Sequence, residues 1–211
     1  MTLVPELEEP DLALSSRGSQ RRKELIEGGL RVLIRDGHHG VTFRTVSLEA
    51  SASHGSVNYY FGSRTALMCA VAEEVCRRIA THLAGLTPRL EEVAHDPDRF
   101  AEVIAQHNIK YMVNNRTLGI AIQELTLAAA REPELRSVLV KWGKVDARLT
   151  RTAFLKLGSA DPETDYAFVL NSLGGLVTAQ LAIPRRDFEK RILKPSLLRL
   201  VRSIAQDKRK A

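Results

Sequence analysis

The sequence predicts an all-α protein of about nine helices, with a small N-terminal three-helix head joined to a larger helical domain. Three observations carry that reading. Apolar residues recur at helical spacing along most of the 211 residues, and no alternating run is long enough for a useful strand. Aspartate followed by proline opens two segments, Asp96-Pro97 and Asp161-Pro162, pairing an N-cap with the residue tolerated at the first helical position. The stretch 41–67, VTFRTVSLEASASHGSVNYYFGSRTAL, holds two short helices with only Ser51-Ala52 between them, ahead of a third. Helices so closely joined cross steeply, as in a helix-turn-helix.

Taken in order, residues 1–18 carry Glu6, Glu8, Glu9 and Asp11 with two prolines, and read as a flexible acidic tail. A helix is expected from Ser19 to Asp36, with Leu25, Ile26, Gly29, Leu30, Leu33 and Ile34 on one face and Gly37 ending it. Arg21, Arg22 and Lys23 in its first turn oppose the helix dipole. Phosphate contact would explain them, as would ordinary surface charge.

In the central stretch Thr42 caps one short helix, to which Phe43, Val46, Leu48 and Ala50 give apolar contacts. Ser53 caps the next, from His54 to Tyr60, and Ser63 caps a third beginning at Arg64. His54, Gly55, Ser56, Asn58 and Tyr59 form an outer face of small or hydrogen-bonding side chains suited to base edges and phosphates. Gly55 costs about 1 kcal/mol inside a helix, which close approach to another surface would justify. Arg44, His54, Ser56 and Asn58 are the candidates for reading bases; Thr42, Ser53, Tyr59, Tyr60 and Arg64 are those for phosphates. A plain helical hairpin with its aromatics in a core is the alternative. Ser51, if the turn requires a left-handed backbone there, is strained.

The residues Thr42, Val46, Ala50, Ser53, Gly55, Ser56, Val57, Tyr59, Phe61, Arg64 and Leu67 match or conservatively replace one known pattern. It runs Thr-x-x-x-Ile-Ala-x-x-Ala-Gly-Val-Ser-x-Gly-Thr-Leu-Tyr-x-x-Phe-x-x-Lys-x-x-Leu. The segment therefore resembles the DNA-binding domain of the tetracycline-repressor (TetR/AcrR) family of bacterial transcriptional regulators. Ser51 stands where that pattern has its turn glycine, Ser47 replaces a packing alanine and Asn58 a common tyrosine. The resemblance covers the N-terminal third in motif, and the remainder only in length and helix pattern. It implies repression as the usual outcome, by analogy.

Beyond the head (19–66), a helical regulatory and dimerisation domain is expected over 67–207, and 208–211 form a basic tail. The helix from Arg64 is expected to stop near Ala84, before Gly85 and Pro88. Helices then follow from Asp96 through Tyr111, over 117–131, and from Pro133 with Leu135, Val138, Leu139, Trp142, Val145 and Leu149 on one face. The segment 161–183 is apolar nearly all round and should be covered on both sides. Pro195 should kink or divide the last helical region, 186–206.

Two functional sets follow. His107, Tyr111, Gln123, Asn171 and Thr178 are polar residues in apolar helical stretches, and with Trp142 and Phe168 as walls they are candidates for a ligand pocket. Gly174, Gly175, Leu181, Leu197, Val201 and Ile204 are candidates for a dimer interface, since one helix-turn-helix touches too few base pairs for a specific site. The expected protein is a ligand-responsive regulator binding a palindromic DNA operator as a homodimer, released by a small, largely apolar effector.

A small all-α enzyme is the alternative, but no nucleophile–base pair or carboxylate pair stands at diagnostic spacing. Neither cofactor nor metal is expected: His38-His39 reads as a loop pair without a supporting carboxylate or cysteine. Cys69 and Cys76, about 10 Å apart by helix rise, cannot pair with each other. Net charge is +6 and 44% of residues are hydrophobic. An anionic partner fits that charge, and the absence of an apolar span or signal sequence points to the cytosol.

Overall fold

A computed structural model describes residues 16–207, with side chains through residue 205. Residues 1–15 of the expected acidic tail 1–18 and the basic tail 208–211 lie outside the described residues, while 16–18 belong to the first helix. Nine α-helices are described: α1 (Ser16–Gly40), α2 (Phe43–Glu49), α3 (His54–Phe61), α4 (Arg64–Val93), α5 (Pro97–Asn108), α6 (Arg116–Ala129), α7 (Pro133–Leu157), α8 (Pro162–Ala182) and α9 (Lys194–Asp207). Single π-helical turns, Ile109–Asn114 and Glu189–Leu193, precede α6 and α9. The second ends where Pro195 divides the terminal helical region.

The chain forms two compact units. One joins 79–120 to the described part of 143–211; the other joins the described part of 5–78 to 121–142, so α4, α6 and α7 each run through both.

In the unit that contains the head, α1 buries Leu25, Ile26, Leu30, Val32 and Leu33. A Cβ on Gly28 would lie 3.1 Å from Ala50 Cβ and one on Gly29 2.7 Å from Val71 Cγ2, so two adjacent glycines let α1 approach α2 and α4. Three short caps define the head. Thr42 Oγ1 accepts from the Thr45 N–H while Thr45 Oγ1 accepts from the Thr42 N–H, a reciprocal capping box. Ser53 Oγ accepts from the Ser56 N–H at 3.1 Å, and Ser63 Oγ from the Ala66 N–H at 3.1 Å. Val46, Val57, Phe61 and Leu67 fill the space between the three helices. Leu48, expected to add an apolar contact, is 73% exposed on the outside of α2.

The other unit has a core of Phe100, Ile104, Phe154, Leu157, Leu173 and Phe188 with the inner face of α9. Phe100 and Phe154 meet edge to face with centroids 5.7 Å apart. Asp96 and Asp161 cap α5 and α8 as their sequence pattern predicts. The break expected at Gly85–Pro88 does not occur. α4 runs on to Val93 because Leu86 and Leu90 are buried in this core, and their packing outweighs the backbone bond that Pro88 cannot donate. Gly119 is required near the start of α6, where a Cβ would run into the Met112 carbonyl oxygen of the π-turn and lie 3.0 Å from Leu181.

Candidate functional site

The exposed side of α3 is the first candidate surface. His54, Gly55, Asn58 and Tyr59 face outward, Ser56 and Tyr60 are half-buried, and Val57 and Phe61 anchor the opposite side. Arg44 projects from α2 nearby in sequence and is exposed. The His54 ring is steadied edge-on against Phe43 at 5.8 Å, and Tyr59 and Tyr60 pack edge-on at 5.1 Å. Of the remaining residues expected at DNA, Ser53 is exposed and Thr42 half-buried, each with its hydroxyl engaged in a cap. At Gly55 an added Cβ would meet only Ser53 Oγ, 4.0 Å away. The free head thus has room for a side chain there, and nothing within it requires the glycine.

The left-handed backbone weighed at Ser51 is observed, while the roles of Arg21 and Arg64 in the head escaped the sequence reading. Ser51 has φ 47, the one non-glycine residue with positive φ among those described, and the Arg21 guanidinium donates to its carbonyl at 3.0 Å. Arg21 therefore braces the turn, and Arg22 lies 5.6 Å from the centroid of the Phe61 ring. Both are bound into the head, and because α1 begins at Ser16 they lie in its second turn and not in the first turn expected from the sequence. Arg64 also differs from expectation. Its guanidinium donates to the Val41 carbonyl at 2.9 Å and the His38 carbonyl at 2.7 Å, so it staples the α1–α2 connector.

That connector is held from several sides. Gly37 adopts φ 71 and ψ −179, breaking α1. Glu124 of α6 accepts the His38 N–H at 3.1 Å, and the His38 ring stands 3.5 Å from a Glu132 oxygen. Thr45 Oγ1 donates to the Gly40 carbonyl at 2.6 Å. Burial holds the His38 imidazole below its usual pKa; the neighbouring His39 and Arg64 push the same way, against Glu132 and Glu124. Residues 86 positions apart are joined here, which no local pattern announces.

Of the seven residues expected to line a pocket, His107 and Tyr111 share a cleft. It measures about 290 Å³, and its other lining comes from Thr81, His82, Gly85, Leu86 and Arg89 of α4 with Gln106 and Lys110. The His82 and Tyr111 rings stack at 4.0 Å, and His107 lies 4.8 Å from Tyr111. Burial depresses the His107 pKa to about 4, helped by His82, Arg89 and Lys110. Gln123 and Trp142 belong to the other compact unit, where the Trp142 indole N–H bonds the Glu73 carboxylate. Phe168, Asn171 and Thr178 lie on the exposed side of α8; Phe168 is 51% exposed, and the two polar side chains bond back to the Ala167 and Gly174 carbonyls. None of these five lines the cleft at His107 and Tyr111. The cleft residues missed, His82 and Arg89, sit on the helix that the sequence reading ended too early.

The expected dimer residues also separate. Leu197, Val201 and Ile204 are buried in the core of their own unit, with at most 3% exposure, and are not available to a partner. Leu181 is half-buried, and its backbone carbonyl accepts from Arg116 at 3.0 Å. Gly174 and Gly175 remain on the open side of α8, where an added Cβ meets nothing within 4 Å. Ala167, Phe168, Leu170, Asn171, Thr178 and Ile183 are exposed on or beside that helix. The expectation that α8 is covered on both sides is not met within one chain.

Among the described residues no group of histidine, cysteine or carboxylate side chains is arranged to hold a metal, and no helix is long and apolar enough to cross a membrane. Neither Cys69 nor Cys76 forms a disulfide among the described residues, and burial pushes the Cys69 thiol up in pKa.

Residues 25–71 match the family model for bacterial regulatory proteins of the tetR family, and residues 95–206 that for the tetracyclin repressor-like C-terminal domain. The chain is 29% identical over 113 residues to the nicotine-responsive HTH-type transcriptional repressor HdnoR of Paenarthrobacter nicotinovorans, covering 54% of this chain and 56% of that one. It is 27% identical over 96 residues to the HTH-type transcriptional regulator BetI of Vibrio parahaemolyticus, covering 46% and 48%. The chain thus spans about half the length of the curated relatives it matches. Among solved structures, the multidrug binding protein EbrR complexed with ethidium aligns with TM-score 0.68 at 25% identity, over 86% of this chain and 98% of that one. A TetR-family member from Streptomyces coelicolor aligns with TM-score 0.67 at 24% identity over 86% and 98%, a likeness of fold alone.

Proposed function

This chain belongs to the TetR family of bacterial transcriptional regulators, and we propose that it is a ligand-responsive repressor that binds a palindromic operator as a homodimer. The observation that carries the reading is the capped helix α3, which leaves His54, Gly55, Asn58 and Tyr59 uncovered on the outside of the head. A helix of that kind enters a major groove with its small face toward the bases, and the absence of a side chain at Gly55 permits close approach. Asn58 and Arg44 are the strongest base readers, because amide and guanidinium groups make bidentate contacts with adenine and guanine. Thr42, Ser53, Tyr59 and Tyr60 contact phosphates. Arg64 acts indirectly, by holding the connector that positions α2.

Dimerisation is assigned to the open side of α8. Phe168, Leu170 and Ile183 are apolar and exposed there, and Gly174-Gly175 allow a second helix to come close. The effector is assigned to the cleft beside His107 and Tyr111. α6 links that cleft to the head: Gly119 rests against the Met112 carbonyl of the π-turn that carries Tyr111, and Glu124, farther along the same helix, accepts from His38. An effector that favours one position of the π-turn would act through α6 on the connector, and only a difference in affinity between the two states would shift the balance. Cytoplasmic location follows from that role. Nothing in the cleft favours the small all-α enzyme, since its lining contains no carboxylate.

Selection from a random duplex library tests the reading. The chain should enrich a palindrome with half-sites centred about 34–36 Å apart, or a multiple of that. Asn58→Ala should relax the base preference at one position in each half-site, and Phe168→Glu should yield monomers in sedimentation and lose the palindrome. Failure to enrich any sequence over random duplex overturns the proposal.

A further inference from the structure

We propose that the cleft between α4 and the α5–π-turn segment takes an organic anion: a planar carboxylate whose acid group is received by Arg89 and Lys110 and whose ring lies along the His82–Tyr111–His107 wall. The inference rests on the reading of the chain as a ligand-responsive regulator and adds the chemical class of the ligand. Three observations converge on it. The lining holds two formal cations, Arg89 and Lys110, with hydrogen-bonding groups from Thr81 and Gln106, and no aspartate or glutamate. Elsewhere in the same unit some cations are paired with acids, as in Arg202–Asp98 at 2.5 Å, Lys156–Glu91 at 2.6 Å and Lys194–Glu102 at 2.9 Å, while others, Arg148 and Arg199 among them, form no such pair among the described residues. Neither Arg89 nor Lys110 forms such a pair among the described residues.

The wall of the cleft supplies the second observation. His82 and Tyr111 stack with an interplanar angle of 26°, and His107 leans on the same tyrosine at 49°. The three half-buried rings, two of them stacked face on face with Lys110 Nζ 4.8 Å from the Tyr111 centroid, form an aromatic side to the cleft against which a ligand ring packs. The third is the local field. His107 is held neutral by burial and by His82, Arg89 and Lys110, all positive or able to become so. A field of that sign attracts an anion. A cationic dye would meet repulsion from Arg89 and Lys110 with no carboxylate in the lining to offset it. The buried carboxylate with an unpartnered oxygen, Asp146, is not part of this lining.

Three probes that share a ring system and differ in charge decide the matter: 2-naphthoate, 2-naphthamide and 2-naphthamidine. Binding is measured by calorimetry on the full chain without DNA. The acid should bind at least about ten-fold more tightly than the amide, as expected for one charge-assisted contact partly exposed to solvent. The amidine should show no measurable binding. Arg89→Gln and Lys110→Gln, both at exposed positions, should each weaken the acid about ten-fold and leave the amide unchanged, with circular dichroism confirming the fold. Equal affinity for acid and amide, tighter binding of the amidine, no binding of the acid at millimolar concentration, or variants that bind it like the parent would each overturn the proposal. Because the assay contains no DNA, carboxylate binding without operator enrichment leaves this inference standing and sinks the regulator. The reverse result sinks only the anion site.

Discussion

Replacing Gly37 by alanine perturbs two things together. The backbone there, φ 71 and ψ −179, lies in a region open essentially to glycine, so any other residue carries strain of about 1–3 kcal/mol. The new Cβ would also stand 3.0 Å from Glu124 Oε2. That carboxylate must move, and its 3.1 Å bond to the His38 N–H weakens at a cost of about 1 kcal/mol for a half-exposed contact. Alanine returns about 0.4–1 kcal/mol by restricting the unfolded chain. The net loss is therefore about 2 kcal/mol, which lowers Tm by roughly 4–8 °C for a chain of this size. Thermal denaturation at fixed protein concentration reads it directly. Repeating the substitution in a Glu124→Ala background separates the two terms: without the carboxylate, only the backbone strain remains, and Gly37→Ala should cost about 1 kcal/mol less. A Tm within a degree of the parent would show that the connector relaxes freely. Equal losses in both backgrounds would show that Glu124 does not hold it.

Ser51→Gly should act in the opposite direction. Relief of about 1–2 kcal/mol of left-handed strain, less about 0.4–1 kcal/mol of unfolded-state entropy, leaves a gain of up to about 1.5 kcal/mol and a Tm rise of a few degrees; a fall would end the strain argument. Arg64→Gln should destabilise the head by about 1–2 kcal/mol and weaken operator binding without changing its salt slope, because the guanidinium serves the His38 and Val41 carbonyls. A slope reduced by about 1 would instead place Arg64 on a phosphate. Asp146 has its pKa pushed up to about 7 by burial. Its folded state therefore binds the proton more tightly than the unfolded state, and stability present below the ordinary carboxylate pKa is lost as pH rises toward 7. Asp146→Asn should raise Tm more at pH 8 than at pH 5, by an amount on the order of 2–4 kcal/mol in stability; an equal change at both pH values refutes the assignment.

What the sequence determined by itself is what neighbours in the chain decide. Thr42, Ser53, Ser63, Asp96 and Asp161 cap their helices because each cap bond closes within three residues. The outer face of α3 was equally legible: in so short a helix, Val57 and Phe61 are the apolar residues that take the inner side. α8 shows where that logic fails. With apolar residues on every side its periodicity carries no direction, so only packing decided that Val169, Leu173 and Val177 turn inward while Phe168 and Ile183 stay out. The same holds for Leu197, Val201 and Ile204, whose spacing suits a core or a partner alike and which the core claimed. Breakers mislead for a related reason: Gly85 and Pro88 lower local helix propensity, yet burial of Leu86 and Leu90 carries α4 through them. The cleft and the connector depend on tertiary structure altogether. His82 reaches Tyr111, and Glu124 reaches His38, across long stretches of intervening chain. Contacts between residues distant in sequence leave no mark in local spacing, and they exist only once the helices have packed.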